Sequence, residues 1–153
     1  MKTILLKIWK GLKLPTNIQL FAMRRVNDQF LIGITGIIFD KNGEILLVKH
    51  SYRDIGKWSL PGGYLKAKEH PKEGLEREIE EETGLIVSAD ERLKIRTDRR
   101  SPRLDIVYIG TLIGGEFRKS EETQEIGFFS FNTLPQISKD QLLFIERALK
   151  VKH

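Results

Sequence analysis

The 153-residue chain is 40% hydrophobic and 31% charged, carries a net charge of +5 and contains no cysteine. This composition excludes disulfides, thiolate metal sites and cysteine nucleophiles, and the length fits one domain able to bury a core. The positive balance suits a phosphate-rich or nucleic-acid partner, with solubility as the plain alternative, and no apolar run approaches the roughly 18 residues that cross a bilayer.

Ile4, Leu5, Ile8, Trp9 and Leu12 form an apolar stripe among Lys2, Lys7, Lys10 and Lys13, so the chain is expected to open with a basic amphipathic helix. Such a helix can rest weakly on an anionic membrane surface. Docking on its own domain or on the mate of a homodimer is the commoner fate. Its lysines interrupt any signal-peptide apolar region, and the protein is expected to be cytoplasmic. Pro15 breaks the helix, and Thr16 or Asn17 can cap a second one running to Arg25. Residues 1–28 are read as a helical extension and residues 29–153 as the principal domain.

Residues 30–40 are β-rich and lead into Lys41-Asn42-Gly43, a tight-turn sequence, before EILLVKHSY returns as a second strand. Pro61-Gly62-Gly63 marks a turn beside Trp58 and Tyr64, and paired glycines let backbone approach a ligand closely. A helix is expected from Pro71, well tolerated in a first turn, to Gly84, a natural stop. LIVSADERLKIRT reads as one or two strands interrupted at Ala89-Asp90. RLDIVYIGTLIGGEFR reads as a strand followed by a Gly114-Gly115 hairpin turn, and EIGFFSFNTLP as another strand ending at Pro135. A closing helix follows, with Ser138 as N-cap, Gln141 completing a capping box, and Leu142, Leu143, Ile145, Ala148 and Leu149 as its apolar positions.

The expected helix at 71–83 carries the chemistry. Leu75 and Ile79, four apart, face a core. Glu78 lies three and four residues from Glu81 and Glu82, on one helix surface. Six glutamates fall between positions 73 and 82, and their repulsion weakens an isolated helix. A hard divalent cation relieves it, and Mg²⁺ prefers a few carboxylates together with waters and substrate phosphates. Arg77 can pair with Glu81 or reach back to Glu69. Gly74, costly inside a helix, implies close packing against the sheet. A solvated acidic face is the bland alternative for a glutamate-rich helix.

Taken with Gly63, Glu69, Arg77, Glu78, Glu81, Glu82, Gly84 and Leu85, the stretch GYLKAKEHPKEGLEREIEEETGL fills every specified position of the Nudix signature, and the chain resembles the Nudix hydrolases over residues 30–150. The resemblance implies an α/β fold, a Nudix-type α/β/α sandwich with a mixed central sheet. It implies Mg²⁺, with Mn²⁺ as substitute, and water attack on phosphorus within a nucleoside diphosphate linked to another group: a nucleoside triphosphate, ADP-ribose, a nucleotide sugar, or capped or triphosphorylated RNA. It makes Glu78, Glu81 and Glu82 metal ligands, joined by a backbone carbonyl of Gly63 or Gly62, and Arg77 and Glu78 catalytic. The general base is Glu78 or a glutamate of the loop before the aromatic strand, Glu122 ahead of Glu125 and Glu121.

For substrate phosphates the candidates are Arg53 and Lys57 before the glycine turn, and Arg96, Arg99, Arg100 and Arg103 on an expected loop. Trp58 and Tyr108 could stack on a base but suit a core better. His70 in the box loop is an exposed histidine by default. The alternative to an enzyme is a non-catalytic module of the same fold that binds nucleotide, RNA or protein.

Overall fold

The computed structural model describes residues 15–26, 29–51, 57–97 and 101–152. The helix expected over residues 1–14 lies outside them. The chain divides into two compact units, residues 1–30 and 31–153. In the first, α1 (Thr16–Val26) starts directly after Pro15, whose carbonyl accepts from Ile18 N and Gln19 N at 3.0 and 3.1 Å. Arg24 and Arg25 occupy its last turn, where cations complement the helix dipole, and Arg25 lies 5.3 Å over the Phe21 ring.

The second unit is a seven-stranded mixed sheet between two helices. Its strands are β1 (Leu31–Phe39), β2 (Ile45–His50), β3 (Trp58–Ser59), β4 (Gly62–Tyr64), β5 (Leu85–Thr97), β6 (Arg103–Gly115) and β7 (Thr123–Phe129). The order β3-β2-β1-β6-β5 is extended by β4 pairing with β1 and β7 with β2. β1 and β6 run parallel, and every other pairing is antiparallel. The helices are α2 (Pro71–Thr83) and α3 (Lys139–Lys152).

Strand alternation builds the two layers, because successive side chains point to opposite faces. Ile34, Ile38, Ile106 and Tyr108 pack with Leu75 and Ile79 of α2. Ile37, Phe39, Val107 and Ile109 pack with Phe144, Ile145 and Ala148 of α3. The Asn-Gly turn joins β1 to β2, with Gly43 at φ 79° and the Asp40 carboxylate accepting from Asn42 N and Glu44 N, both at 2.8 Å.

Three expectations need correction. β6 does not end in a hairpin at Gly114-Gly115: the ladder with β5 runs through to Leu85↔Gly115, and β7 pairs with β2 instead. Gly115 has φ 84°, and a Cβ there would strike the Gly84 carbonyl, so glycine permits close pairing rather than a turn. β5 is a single strand, one of the two readings offered, and the interruption expected at Ala89-Asp90 is a register shift between Ala89 and Glu91. In α3 the buried face is Phe144, Ile145 and Ala148, while Leu143 is 54% exposed and Leu142 lies at the rim. Ser138 Oγ does accept from Gln141 N at 3.3 Å, but the Gln141 side chain turns to the sheet instead of closing a capping box.

Lys68 holds the left-handed conformation, with φ 70°, in the loop before α2. A non-glycine residue bears a cost there that glycine does not. Lys68→Gly is therefore expected to raise the unfolding free energy by about 1 kcal/mol, read from urea unfolding curves; an unchanged or lower midpoint would contradict the backbone argument.

Candidate active site

The chemistry-bearing helix is fixed at both ends. His70 is the N-cap, its Nδ1 accepting from Lys72 N at 3.3 Å, while the Glu73 carboxylate accepts from His70 N at 3.4 Å. That capping box uses histidine where serine or threonine is usual, which hid it from the sequence. Pro71 fills the first turn, and Gly84 closes the helix at φ 76° with its N–H donating to Glu80 O. Leu75 and Ile79 are fully buried. Gly74 is tight: a Cβ would lie 2.7 Å from Leu65 and 3.1 Å from Ile34, bearing out the expected close packing on the sheet. Glu76, read only as one of the repelling charges, accepts from Ala89 N at 2.8 Å and secures the β5 bulge.

Arg77 gathers the carboxylates. Nε donates to Glu69 Oε1 at 2.7 Å and Nη2 to Glu69 Oε2 at 3.0 Å, a two-pronged grip on the loop. Nη1 donates to Glu78 Oε1 at 2.7 Å and Glu81 Oε2 at 3.0 Å. Both pairings anticipated from spacing are present at once. The Arg77 hydrogen bonds hold the Glu69 carboxyl at about 2, aided by the Lys66 backbone N–H, and Glu69, ahead of Glu78, holds Arg77 still more firmly protonated than usual. A depressed carboxylate contributes stability above its unfolded value, near 4.5, and loses it as the pH falls towards 2. The stability gap between the native protein and Arg77→Gln is thus expected to narrow across that interval in urea titrations, and a gap independent of pH would refute the assignment.

Glu82 is buried on the same helix at 7% exposure. A Cβ on Gly63 would run into the Glu78 carboxylate, so only glycine lets that side chain lie against β4. Glu78, Glu81, Glu82 and the Gly63 carbonyl offer oxygen alone, the donor chemistry of Mg²⁺ or Mn²⁺. Among the described residues no three acidic or histidine side chains are already drawn together around one point. Arg77 Nη1 is shared by two of the four candidate donors.

A cavity of about 500 Å³ opens beside Gly62 and Gly63. Its walls are Thr35 of β1, His50 of β2, Trp58 and Ser59 of β3, Lys57, Arg103 of β6, and Gln136 to Ser138 with Gln141 at the start of α3. Gln141 Oε1 accepts from Leu60 N at 3.2 Å, tying α3 to the strand before the glycine pair. Trp58 packs edge-on to Phe129 at 5.1 Å and lies under the Lys49 ammonium at 4.8 Å.

Of the phosphate candidates, Lys57 and Arg103 line this cavity. Arg53, Arg99 and Arg100 lie outside the described residues. The expected arginine loop is corrected: Arg96 and Arg103 lie at adjoining ends of β5 and β6, inside the strands read from LIVSADERLKIRT and RLDIVYIGTLIGGEFR, so the connecting loop holds neither of them. Tyr108 is core, at 4% exposure, and Trp58 packs against the core while also lining the cavity. Glu125 pairs with Lys49 at 2.8 Å. Glu122 is held through its backbone, N to Ser120 Oγ at 3.2 Å and O from Ser51 N at 2.9 Å. Missed in the sequence were His50, Ser59, Gln136 and Gln141, which meet only in three dimensions. Asp105 was missed too, although an acid two residues after Arg103 in an apolar strand shares its face.

A mixed sheet between two helices, with an arginine-centred glutamate cluster on one helix and a cavity meeting it at a glycine pair, defines a hydrolase of the Nudix fold class. The NUDIX domain family model matches residues 30–148, and the chain belongs to the Nudix hydrolase family. It is 35% identical over 127 residues to an ADP-ribose pyrophosphatase of Methanocaldococcus jannaschii, covering 80% of this chain and 75% of that protein. A putative 8-oxo-dGTP diphosphatase of Bacillus subtilis is 29% identical over 65% of this chain and 66% of its own length. Among solved structures, an ADP-ribose pyrophosphatase from Streptococcus suis superposes with a TM-score of 0.69 at 30% identity, covering 82% of this chain and 96% of that one. No helix among the described residues is long and apolar enough to cross a membrane.

Proposed function

We propose that the protein is a divalent-metal-dependent pyrophosphohydrolase that cleaves a nucleoside diphosphate linked to another group, with ADP-ribose the first compound to test. The observation that carries this reading is the meeting of the cavity and the Glu78 carboxylate at Gly63, which lines the one and bears the other against its backbone. A substrate seated in the cavity presents its diphosphate to the cluster at that residue. The likeness to the two ADP-ribose pyrophosphatases supports the choice of compound.

Glu78, Glu81, Glu82 and the Gly63 carbonyl would hold Mg²⁺ or Mn²⁺. Bound there, the ion supplies Lewis acidity towards the phosphoryl oxygens. Arg77 orients the carboxylates, and Lys57 and Arg103 would meet phosphate. The proton of the attacking water goes to Glu78 or Glu122. Substituting each by glutamine separates them, since loss of the base removes the acidic limb of the pH–rate profile.

The test is a panel of ADP-ribose, nucleoside triphosphates, nucleotide sugars and 5′-triphosphorylated RNA, with Mg²⁺, with Mn²⁺ and after chelation. Metal-dependent cleavage of a diphosphate compound is expected. Binding without cleavage of any of them would favour a nucleotide-binding module instead.

A further inference from the structure

One row of residues crosses four strands on the α3 face of the sheet. Tyr64 of β4 stands opposite Gly33 of β1, Gly33 opposite Asp105 of β6, and Asp105 opposite Arg96 of β5. Arg103, two residues before Asp105, shares its face and hydrogen-bonds through Nε to Asp105 Oδ1. The absence of a side chain at Gly33 leaves room for this pair: a Cβ there would come within 2.7 Å of Arg103 Nη2. The guanidinium continues across the gap to Tyr64, 5.3 Å over its ring, with Nη1 at 3.4 Å from the hydroxyl.

Asp105 is held from behind. Its other oxygen pairs with Arg96 Nε at 3.4 Å, and Arg96 Nη1 reaches Asp140 of α3 at 2.8 Å while its guanidinium lies 4.9 Å over Phe144. Asp105 is 7% exposed. A buried carboxylate is retained only where charge partners compensate it, and here two arginines do so. Arg103 is the one of the two that lines the cavity. Nε serves Asp105 and Nη1 approaches Tyr64, and a guanidinium carries five N–H donors, so donors remain for an anion.

We propose that Asp105 is a positioning residue that aims Arg103 at the substrate's diphosphate, with Gly33 and Tyr64 forming its cradle. The inference rests on the pyrophosphohydrolase reading for the identity of the ligand. Asp105 touches no substrate; it fixes the torsions of a side chain that otherwise loses several rotamers on binding. Removing its charge should therefore weaken binding and leave the chemical step in place.

The experiment is a double-mutant cycle on KM and kcat for the cleaved compound, with α,β-methylene-ADP binding measured by calorimetry. Asp105→Asn and Arg103→Gln are each expected to raise KM about tenfold with kcat within about twofold, and the pair together no more than Arg103→Gln alone. Should Asp105→Asn not fold, Gly33→Ala, whose methyl presses on the Asp105 carboxylate and the Arg103 guanidinium where they meet, carries the same expectation. An equal Asp105→Asn penalty with and without Arg103, or a fall in kcat at constant KM, would overturn the proposal. If no compound is cleaved but α,β-methylene-ADP affinity follows the same cycle, the positioning role stands and the hydrolytic reading falls. If that affinity is indifferent to Arg103→Gln, the positioning role falls by itself.

Discussion

Glu82→Gln is expected to lower turnover at least about 100-fold while leaving the fold intact. The substitution keeps the volume of a side chain that is 7% exposed, so packing on α2 changes little. What it removes is one negative charge and a strong oxygen donor from the set proposed to hold the metal. Charge developing on the phosphoryl oxygens would then face a cation held less firmly and less well placed, and the loss falls on kcat more than on KM. Two readouts check it: kcat at saturating Mg²⁺, and the rise in melting temperature that Mg²⁺ gives the native protein by binding the folded state. Both should fall together. A variant that kept near-native turnover would remove Glu82 from the site.

Arg77→Gln should cost roughly 100-fold in kcat by a different route. Arg77 reaches Glu69, Glu78 and Glu81 through Nε, Nη1 and Nη2, and its Nη2 also approaches the Tyr64 carbonyl at 3.4 Å. Glutamine can satisfy one of these acceptors and leaves three carboxylates crowded on one helix face and its loop, where like charges repel. Misplacing a reacting or ligating group by about 1 Å is enough for a loss of this size. Unlike Glu82→Gln, this variant should also melt earlier, because the grip on Glu69 anchors the loop to α2. Raising Mg²⁺ should recover part of its activity, since added cation opposes the repulsion that Arg77 normally relieves. Activity equal to the native protein at low Mg²⁺ would show that Arg77 serves stability alone.

The glutamate helix was legible in the sequence because its signals are local. Pro71 and Gly84 mark its ends, Leu75 and Ile79 its buried stripe, and the spacing from Glu69 to Glu82 its working face. The cavity was not, because Thr35, Ser59, Arg103 and Gln141 come from four elements brought together only by sheet topology. The β5–β6 ladder was misread for a related reason. Glycine serves both turns and close backbone contacts, and composition alone does not say which Gly114 and Gly115 supply. Leu143 was assigned to the buried face of α3 by periodicity, while Phe144 took its place beside Ile145 and Ala148, which were expected there. Ile145 and Ala148 lie on the sheet side together with Phe144, and this fixes the rotation of the helix.

The arginine-centred cluster is built by α2 and the loop before it, whereas much of the cavity wall comes from β3, β6 and the approach to α3. Gly63 belongs to both. Such a division lets selectivity drift without disturbing bond cleavage: substitutions at Gln136 or Ile137 alter the wall while leaving Arg77 and its glutamates alone. A library randomised at those two positions is the natural starting point for redirecting this scaffold to new substrates.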